Sequence, residues 1–497
     1  MTKDLSLVLF CCAILLCVSA GSAAQQTPAS FTIDTKLHSD LVRLGGQIMV
    51  AGQAYEYDRH LADEIGPRLT GSPNYVKSVE WAEQEFKRLG LVKVHGESWE
   101  LPATWEPDTI ATARMISPRE QRLHLESEGW SPSTPPGGVR GNVYFLDQVS
   151  IEVVKSRADK ISGNIVLVDA KSLFSHADDG LAKLFDAVNL LTGEGAKAVI
   201  FGVGGTNNAP NMIGNAGFSG TLANIISANL GQEDTLLIKR LLEKGPVEME
   251  FNFTNRIREH VKVDNVVAEI PGRESNGEYV VVGGHLDSWQ PGTGAQDNGT
   301  GAATVLAVAQ AVKASGLAPR RTMRFILFGG EEEGLIGSLR YAREHAGDAG
   351  KCAGVFVSDS GAEPPKGWFT FGRKDEANAL AALKPFLASL GAGDSSDDGN
   401  FTFDTDQGPF LVQGIPSFVL WTPMEKYMAL HHKPSDTFDK VNQRDLNLGV
   451  TVVGITAYAF ADAPEMLKHY SSDELQEQLK SIKALVEYKD MQDHHLF

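Results

Sequence analysis

Cysteine is nearly absent from the body of this chain. Four occur in 497 residues, and three of them, Cys11, Cys12 and Cys17, crowd close to the N-terminus. Downstream only Cys352 remains, so the rest of the protein can close no internal disulfide and must be held by its core, with bound metal as a further staple. The GKCAGVFV surroundings of Cys352 read as packed core and suggest no nucleophile. Long apolar runs are missing too: beyond Leu5–Val18 no stretch is long and apolar enough to span a bilayer. Positive charge is in deficit, 45 Lys and Arg against 63 Asp and Glu, a formal net charge of −18. A field of that sign repels phosphate backbones and anionic lipid, which argues against nucleic acid as a partner. No G-x-S-x-G elbow for a nucleophilic serine occurs, and GTGAQDNGTG lacks the G-x-G-x-x-G of a dinucleotide loop.

What is present begins with a leader. Lys3, the apolar run to Val18 and then AGSAAQQ follow the order of a charged segment, a short apolar segment and a small-residue cleavage site. Residues 1–24 are therefore expected to be a signal peptide cut near Ala24, placing the mature protein outside the cell or in the periplasm. A lipid anchor at Cys17 is disfavoured by the two leucines before it. The chain is too long for one simple core, so two domains or one with a large insert are expected. Val79, Ala82, Phe86 and Leu89 fall at helical spacing before Gly90, and the Gly- and Pro-rich IGPRLTGSP precedes them as an irregular loop. Short β-branched runs (GNVYFLD, GNIVLVDA, GAKAVIFGVGG) then alternate with Gly- and Asn-rich loops, and read as a β-rich insert with little chemistry of its own. From Asn265 strands and helices alternate, the pattern of a mixed sheet flanked by helices, an α/β fold. EEEGLIGSLRYAREH reads as one of those helices. The boundaries drawn are 25–118 and 257–497 for the main domain and 119–256 for the insert. The tail from Ser471 reads as a helix whose Leu475, Leu479, Ile482 and Leu485 pack on its own domain.

The residues suited to chemistry sit where such sheets place ligands, just beyond strand ends. His285 and Asp287 follow VVVGG, and Asp297 stands before the helix expected from Thr300. Glu331, Glu332 and Glu333 follow FILFGG; Asp359 follows VFVS; His431 and His432 lie in MALHHKPSDTFDKV beside Asp436. Each alone has a bland reading: a solvated histidine, a helix-capping aspartate, acidic residues at a helix N-terminus. Together, two histidines and three carboxylates from four strand ends suit two divalent ions, and a donor set without thiolate suits zinc, with manganese or cobalt as alternatives. One carboxylate would have to bridge the pair.

These motifs resemble the co-catalytic zinc peptidase family of aminopeptidases and glutamate carboxypeptidases, and within it the plasma glutamate carboxypeptidase (carboxypeptidase Q) type. HLD, QDNGTG, EEEGLIGS, SDSGA and HKPSDTFD match its motifs in order, and IGPRLTGSP, WSPST and an insert similar to a protease-associated domain extend the resemblance over nearly all of the mature chain. The resemblance implies two zinc ions per chain. His285, Asp297 and Asp359 would hold one, and Asp297, Glu332 and His432 the other, with Asp297 bridging. It makes Asp287 the residue that fixes the His285 ring. Glu331 becomes the general base, taking a proton from a metal-bridging water and passing it to the leaving amine. Glu333 is left as a variable position and His431 as a neighbour. The bond Asp297–Asn298 is expected to be cis.

The implied activity is hydrolysis of dipeptides or unsubstituted N-terminal residues of short peptides, with an insert that roofs the cleft or mediates a homodimer. Three rivals stand beside it: glutamate-type carboxypeptidase specificity, a single-zinc glutaminyl-cyclase-like acyl transferase, and a receptor-like relative without catalysis. The insert and the IGPRLTGSP region argue against the cyclase, and the complete ligand set and base against the receptor. A carboxypeptidase for glutamate needs a cation for the terminal carboxylate; Arg373, Lys374, Lys426 and Lys433 are candidates, each with solvated surface as the bland alternative.

Overall fold

A computed structural model describes residues 31–173, 184–203, 207–212, 214, 216–217 and 220–493; the expected signal peptide lies outside these residues. The strand Tyr279–His285 is buried along its whole length. Its YVVVGGH sequence is the near-continuous apolar run of a strand covered on both faces. Val280 and Val282 enter one core with the helices Thr300–Ala314 and Gln443–Asp462, whereas Val281 enters a second core with Tyr341, Leu475 and Leu479. Side-chain alternation along the strand thus separates two helical layers. The helix Thr300–Ala314 is buried from Thr300 to Ala309, and its many small residues let it lie directly on the sheet.

The main sheet has eight strands. Val92–Pro107 is followed in space by Asn255–Ile270, Thr322–Phe328, Tyr279–His285, Cys352–Val357, Ser417–Trp421, Gly367–Phe369 and Asp394–Ser396. The four strands from Thr322–Phe328 to Ser417–Trp421 run parallel. The crossover on one side of Tyr279–His285 uses Thr300–Ala314, and the next uses Ile336–Glu344 against the opposite core. The chain changes direction at this strand, and such switch points open a crevice beyond the carboxyl ends. The α/β class read from the sequence is the one observed. Cys352 is a buried free thiol in the second core, where burial pushes its pKa up to about 12.

The second sheet is also eight-stranded, in the order Gln121–Leu123, Thr112–Ser117, Glu248–Asn252, Val139–Leu146, Ile165–Asp169, Ala198–Gly202, Ser227–Leu230 and Leu125–Ser127. It carries helices as well as strands, Leu184–Gly193 and Gln232–Leu242 among them. Its earliest strand in the chain, Thr112–Ser117, lies ahead of residue 119, where the insert is drawn to begin. The chain leaves the main sheet at Pro107 and returns beside it at Asn255, because Val92–Pro107 and Asn255–Ile270 pair along their full length. Two further readings need correction. The helix after the glutamates is only Ile336–Glu344, because Gly334 (φ +107°) and Leu335 (φ +61°) take left-handed backbone that ends any earlier helical turn. The tail is two helices, Ser472–Ser481 and Leu485–Asp493, parted at Lys483 (φ +64°), although Leu475 and Leu479 do pack on the main domain. No helix of the described residues is long and apolar enough to cross a membrane.

Candidate metal centre

The parallel strands deliver their acidic and histidine residues to one place. His285 is the last residue of its strand and is fully buried. Its Nδ1 faces the Asp287 carbonyl at 3.2 Å and Asp287 Oδ1 at 3.3 Å, two groups that only accept, so Nδ1 carries the hydrogen. Nε2 then points at Asp297 Oδ1 (3.3 Å), Asp359 Oδ1 (3.5 Å) and Glu331 Oε2 (3.8 Å). A second focus lies on the other side of Asp297. There Asp297 Oδ2 is 3.3 Å from His432 Nε2 and 3.5 Å from His431 Nε2, and Glu332 Oε2 is 3.1 Å from His432 Nε2. The two oxygens of Asp297 thus face two separate histidines. The peptide bond Asp297–Asn298 is cis, and Asn298 is wholly buried, its side chain bonded to Ser358 O and the Gly301 amide.

Both foci fit cations. His285 Nε2 and Asp297 Oδ2 are buried without a hydrogen-bond partner, and such atoms are costly unless a cation or proton takes their lone pairs. His432 Nδ1 donates to Met212 O at 3.1 Å, which leaves an Nε2 lone pair converging with two carboxylate oxygens. His285, Glu331 and Asp359, His285, Asp297 and Glu332, and Asp297 with His431 and His432 each present donor atoms close enough together to hold one ion. The donors are nitrogen and oxygen only, the set that suits zinc.

Positioning groups surround these side chains. Asp287 Oδ2 accepts from Thr70 Oγ1 (2.8 Å) and from the Glu332 amide (3.3 Å), so one carboxylate steadies His285 and the Glu332 backbone together. Thr70 also accepts from the Gly330 amide at 2.8 Å. Gly330 needs its φ of +72° for that turn, and a side chain there would strike Trp99 and Ile336. Asp436 accepts from the amides of Gln296 (2.7 Å) and Asp297 (3.1 Å). Tyr427 donates to Asp359 Oδ1 at 3.2 Å. Sequence reasoning gave no role to Arg68, Thr70, Gln296, Asp436, Tyr427 or Met212; of these, IGPRLTGSP and the aspartate after HHKP were visible as motifs without a task. Glu333, left as variable, is buried, and Glu331–Glu333 is no solvated helix end. Of the cations considered for a substrate carboxylate, Arg373 is buried on Gly414 O, Lys468 O and Asp375, Lys433 Nζ bonds Met428 O and Ala429 O, and Lys374 and Lys426 are exposed.

Residues 265–453, which include all the converging side chains, match the family described as peptidase family M28. The chain is 30% identical over 419 residues to carboxypeptidase Q of Rattus norvegicus, covering 84% of this chain and 86% of that protein. The chain belongs to peptidase family M28. A crystal structure of a peptidase M28 precursor from Shewanella amazonensis SB2B matches it with a TM-score of 0.78 at 26% identity, over 87% of this chain and 98% of that one. A zinc aminopeptidase from Bacillus subtilis shares the fold, with a TM-score of 0.64 at 21% identity over 84% of this chain and 98% of its own. The protein is accordingly a metallopeptidase.

Electrostatics in this M28 peptidase gives the metal a measurable signature. Burial, with Asp359 and Glu332 nearby, holds the Glu331 carboxyl well above its usual range. Burial and the charge of Asp297 do the same for Glu332. Burial alone would lower His285, but Glu331 and Asp359 overcome it and raise its pKa well above the ordinary value. Asp297 moves the other way: burial opposes ionisation, yet His285, His431 and His432 hold its pKa below the usual range. A group whose pKa is higher folded than unfolded binds more protons when folded, and the stability it contributes disappears as pH rises through the folded value. For Glu331 and Glu332 that stability is complete below their unfolded pKa of 4.5, and for His285 below 6.5. Asp297 has the opposite sign, its contribution being lost only as pH falls below 3.8. Metal-stripped protein is expected to lose thermal stability steadily from pH 5 towards neutrality, and added zinc to restore it most at the higher pH. Melting temperatures across that range with EDTA and with zinc measure both slopes.

Arg68 is the buried counter-charge of this region. Its Nε donates to Leu286 O (2.7 Å), and its terminal nitrogens donate to Thr293 O (2.8 Å) and Gly294 O (2.7 Å), which ties down the loop between Asp287 and Asp297. Methionine at this position strands those carbonyls, and a loss of about 3–5 kcal/mol in folding stability is expected. Lysine keeps the charge but not the fork, so urea unfolding should place Arg68→Lys between wild type and Arg68→Met.

Proposed function

We propose that the protein is a secreted exopeptidase with two zinc ions that hydrolyses dipeptides or releases unsubstituted N-terminal residues from short peptides. The observation that carries this reading is Asp297, each of whose oxygens lies 3.3 Å from a different histidine. His285, Asp297 and Asp359 would hold one ion, and Asp297, Glu332 and His432 the other; the zinc of the named Bacillus subtilis aminopeptidase supports the choice of metal. Bound zinc would lower the pKa of a water at the site and polarise the scissile carbonyl. Glu331 lies at the mouth of the His285 focus with its side chain 10% exposed. It takes a proton from the attacking water as the new C–O bond forms, then gives that proton to the amine nitrogen as the C–N bond breaks. Asp287 keeps the His285 ring oriented throughout.

The second sheet, read as a protease-associated domain, covers one side of the site through Met212 and thereby limits substrates to short peptides. Secretion rests on the N-terminal leader pattern. Direction of attack is supported by the fate of two of the four cations: Arg373 and Lys433 are occupied by backbone carbonyls and are not free for a substrate carboxylate. The test compares a dipeptide with its N-acetylated form, alongside zinc content of the purified mature protein. Two zinc per chain with turnover of the free dipeptide alone is expected. Cleavage of only the acetylated form would make it a carboxypeptidase, and one zinc with cyclisation of N-terminal glutamine would make it an acyl transferase.

A further inference from the structure

The two histidines that face Asp297 are held by different parts of the molecule. His285 is oriented from its own loop, by the carbonyl and carboxylate of Asp287. His432 is oriented from the second sheet. Met212 lies between the strands Ala198–Gly202 and Ser227–Leu230 of that sheet, and it makes two backbone contacts with the histidine. The Met212 amide donates to His432 O at 3.1 Å, and His432 Nδ1 faces Met212 O at 3.1 Å. A carbonyl oxygen can only accept, so this contact requires the hydrogen on Nδ1 and leaves Nε2 as a bare donor atom turned to Asp297 and Glu332.

Further contacts surround this arrangement. Met212 is buried, and Asn229 of the second sheet approaches its sulfur at 3.8 Å. His432 itself takes left-handed backbone (φ +59°), a conformation that a residue other than glycine keeps only where its neighbours determine it. Trp289 packs edge-on to the His432 ring at 6.0 Å, and Trp289 rests in turn on Trp105 and Trp130. Trp130 lies between the second-sheet strands Leu125–Ser127 and Val139–Leu146, and the glycine before it is obligatory: a side-chain carbon at Gly129 would sit 2.4 Å from the Trp289 ring. Main-chain hydrogen bonds from Ala216 to Gly129 O and from Ala223 to Trp130 O tie the Met212 segment to the same wall.

We infer that the Met212 segment of the second sheet is a positioning element of the metal centre, its backbone holding the His432 imidazole in the Nδ1–H form with Nε2 aimed at the ion shared by Asp297 and Glu332. This rests on the two-ion reading of the site. The second sheet then does more than cover the centre: it completes the surroundings of one ion, while the His285 side stands without it. Partners of this kind typically change metal affinity about 10–100-fold when removed.

The experiment is a zinc titration of the full-length mature protein and its Met212→Pro variant, with a competing chelator reporting both dissociation constants, beside nitrogen-15 NMR of the ring nitrogens in zinc-loaded wild type. Proline removes the amide that bonds His432 O. Met212→Pro is expected to bind one zinc about 10–100-fold less well with the other constant unchanged, and His432 of wild type to show Nδ1 protonated and Nε2 metal-shifted. A folded Met212→Pro protein that keeps both wild-type constants overturns the inference alone, as does the reverse tautomer, which decides by itself should proline prevent folding. Failure of wild type to bind a second zinc overturns the two-ion reading and the inference with it.

Discussion

Glu331→Gln is expected to lower kcat about 10²–10⁴-fold while the protein keeps its zinc. The amide has the shape of the carboxylate but cannot take a proton from the attacking water, and it has none of the right acidity to give to the leaving amine. Its Oε2 is the most distant of the acidic oxygens around His285 Nε2, 3.8 Å against 3.3 Å for Asp297 and 3.5 Å for Asp359, as suits a group that works beside the ion. Glu332→Gln supplies the contrast. Glu332 Oε2 lies 3.1 Å from His432 Nε2, so weakening that carboxylate should lower zinc content as well as turnover. Metal analysis beside steady-state kinetics separates the two neighbours; zinc lost from Glu331→Gln would show that their roles are exchanged.

Asp297→Ala should empty the centre. Both carboxylate oxygens are committed, one towards His285 and one towards His432, so a single substitution removes a donor from each focus. Zinc content is expected to fall below one per chain and activity by at least about 10³-fold, the consequence of losing several kcal/mol of charge stabilisation in the transition state. The fold should survive, because the Asp297 amide still bonds Asp436. Metal-free Asp297→Ala should also be less stable than metal-free wild type at neutral pH, because His285, His431 and His432 hold the Asp297 carboxyl below its usual range and its charge contributes stability there. Thermal melts with EDTA, set beside zinc analysis and kinetics, check the three statements; a variant that retains both ions would exclude Asp297 as the bridge.

The sequence alone determined the α/β class and the residues that converge. Continuous β-branched runs such as YVVVGGH read as strands buried on both faces, and apolar strands that alternate with helices read as a sheet between two helical layers. Because ligand-bearing residues of such a sheet fall at strand ends, His285, Asp297, Glu331, Glu332, Asp359 and His432 could be named from their positions after strands together with motif resemblance. Tertiary structure decided what local pattern does not encode. The entry point of the second sheet depends on which strand Thr112–Ser117 pairs with, and that is a non-local choice, made with Glu248–Asn252. The break before Ile336 depends on left-handed backbone at Gly334 and Leu335, which turns Glu331 and Glu332 towards His285 and His432 instead of along a helix. The groups that orient the centre come from far along the chain: Arg68 and Thr70 from a loop more than two hundred residues upstream of Asp287, and Met212 from another sheet. Several of those contacts use backbone carbonyls and amides, which every residue carries, so no side-chain motif could announce them.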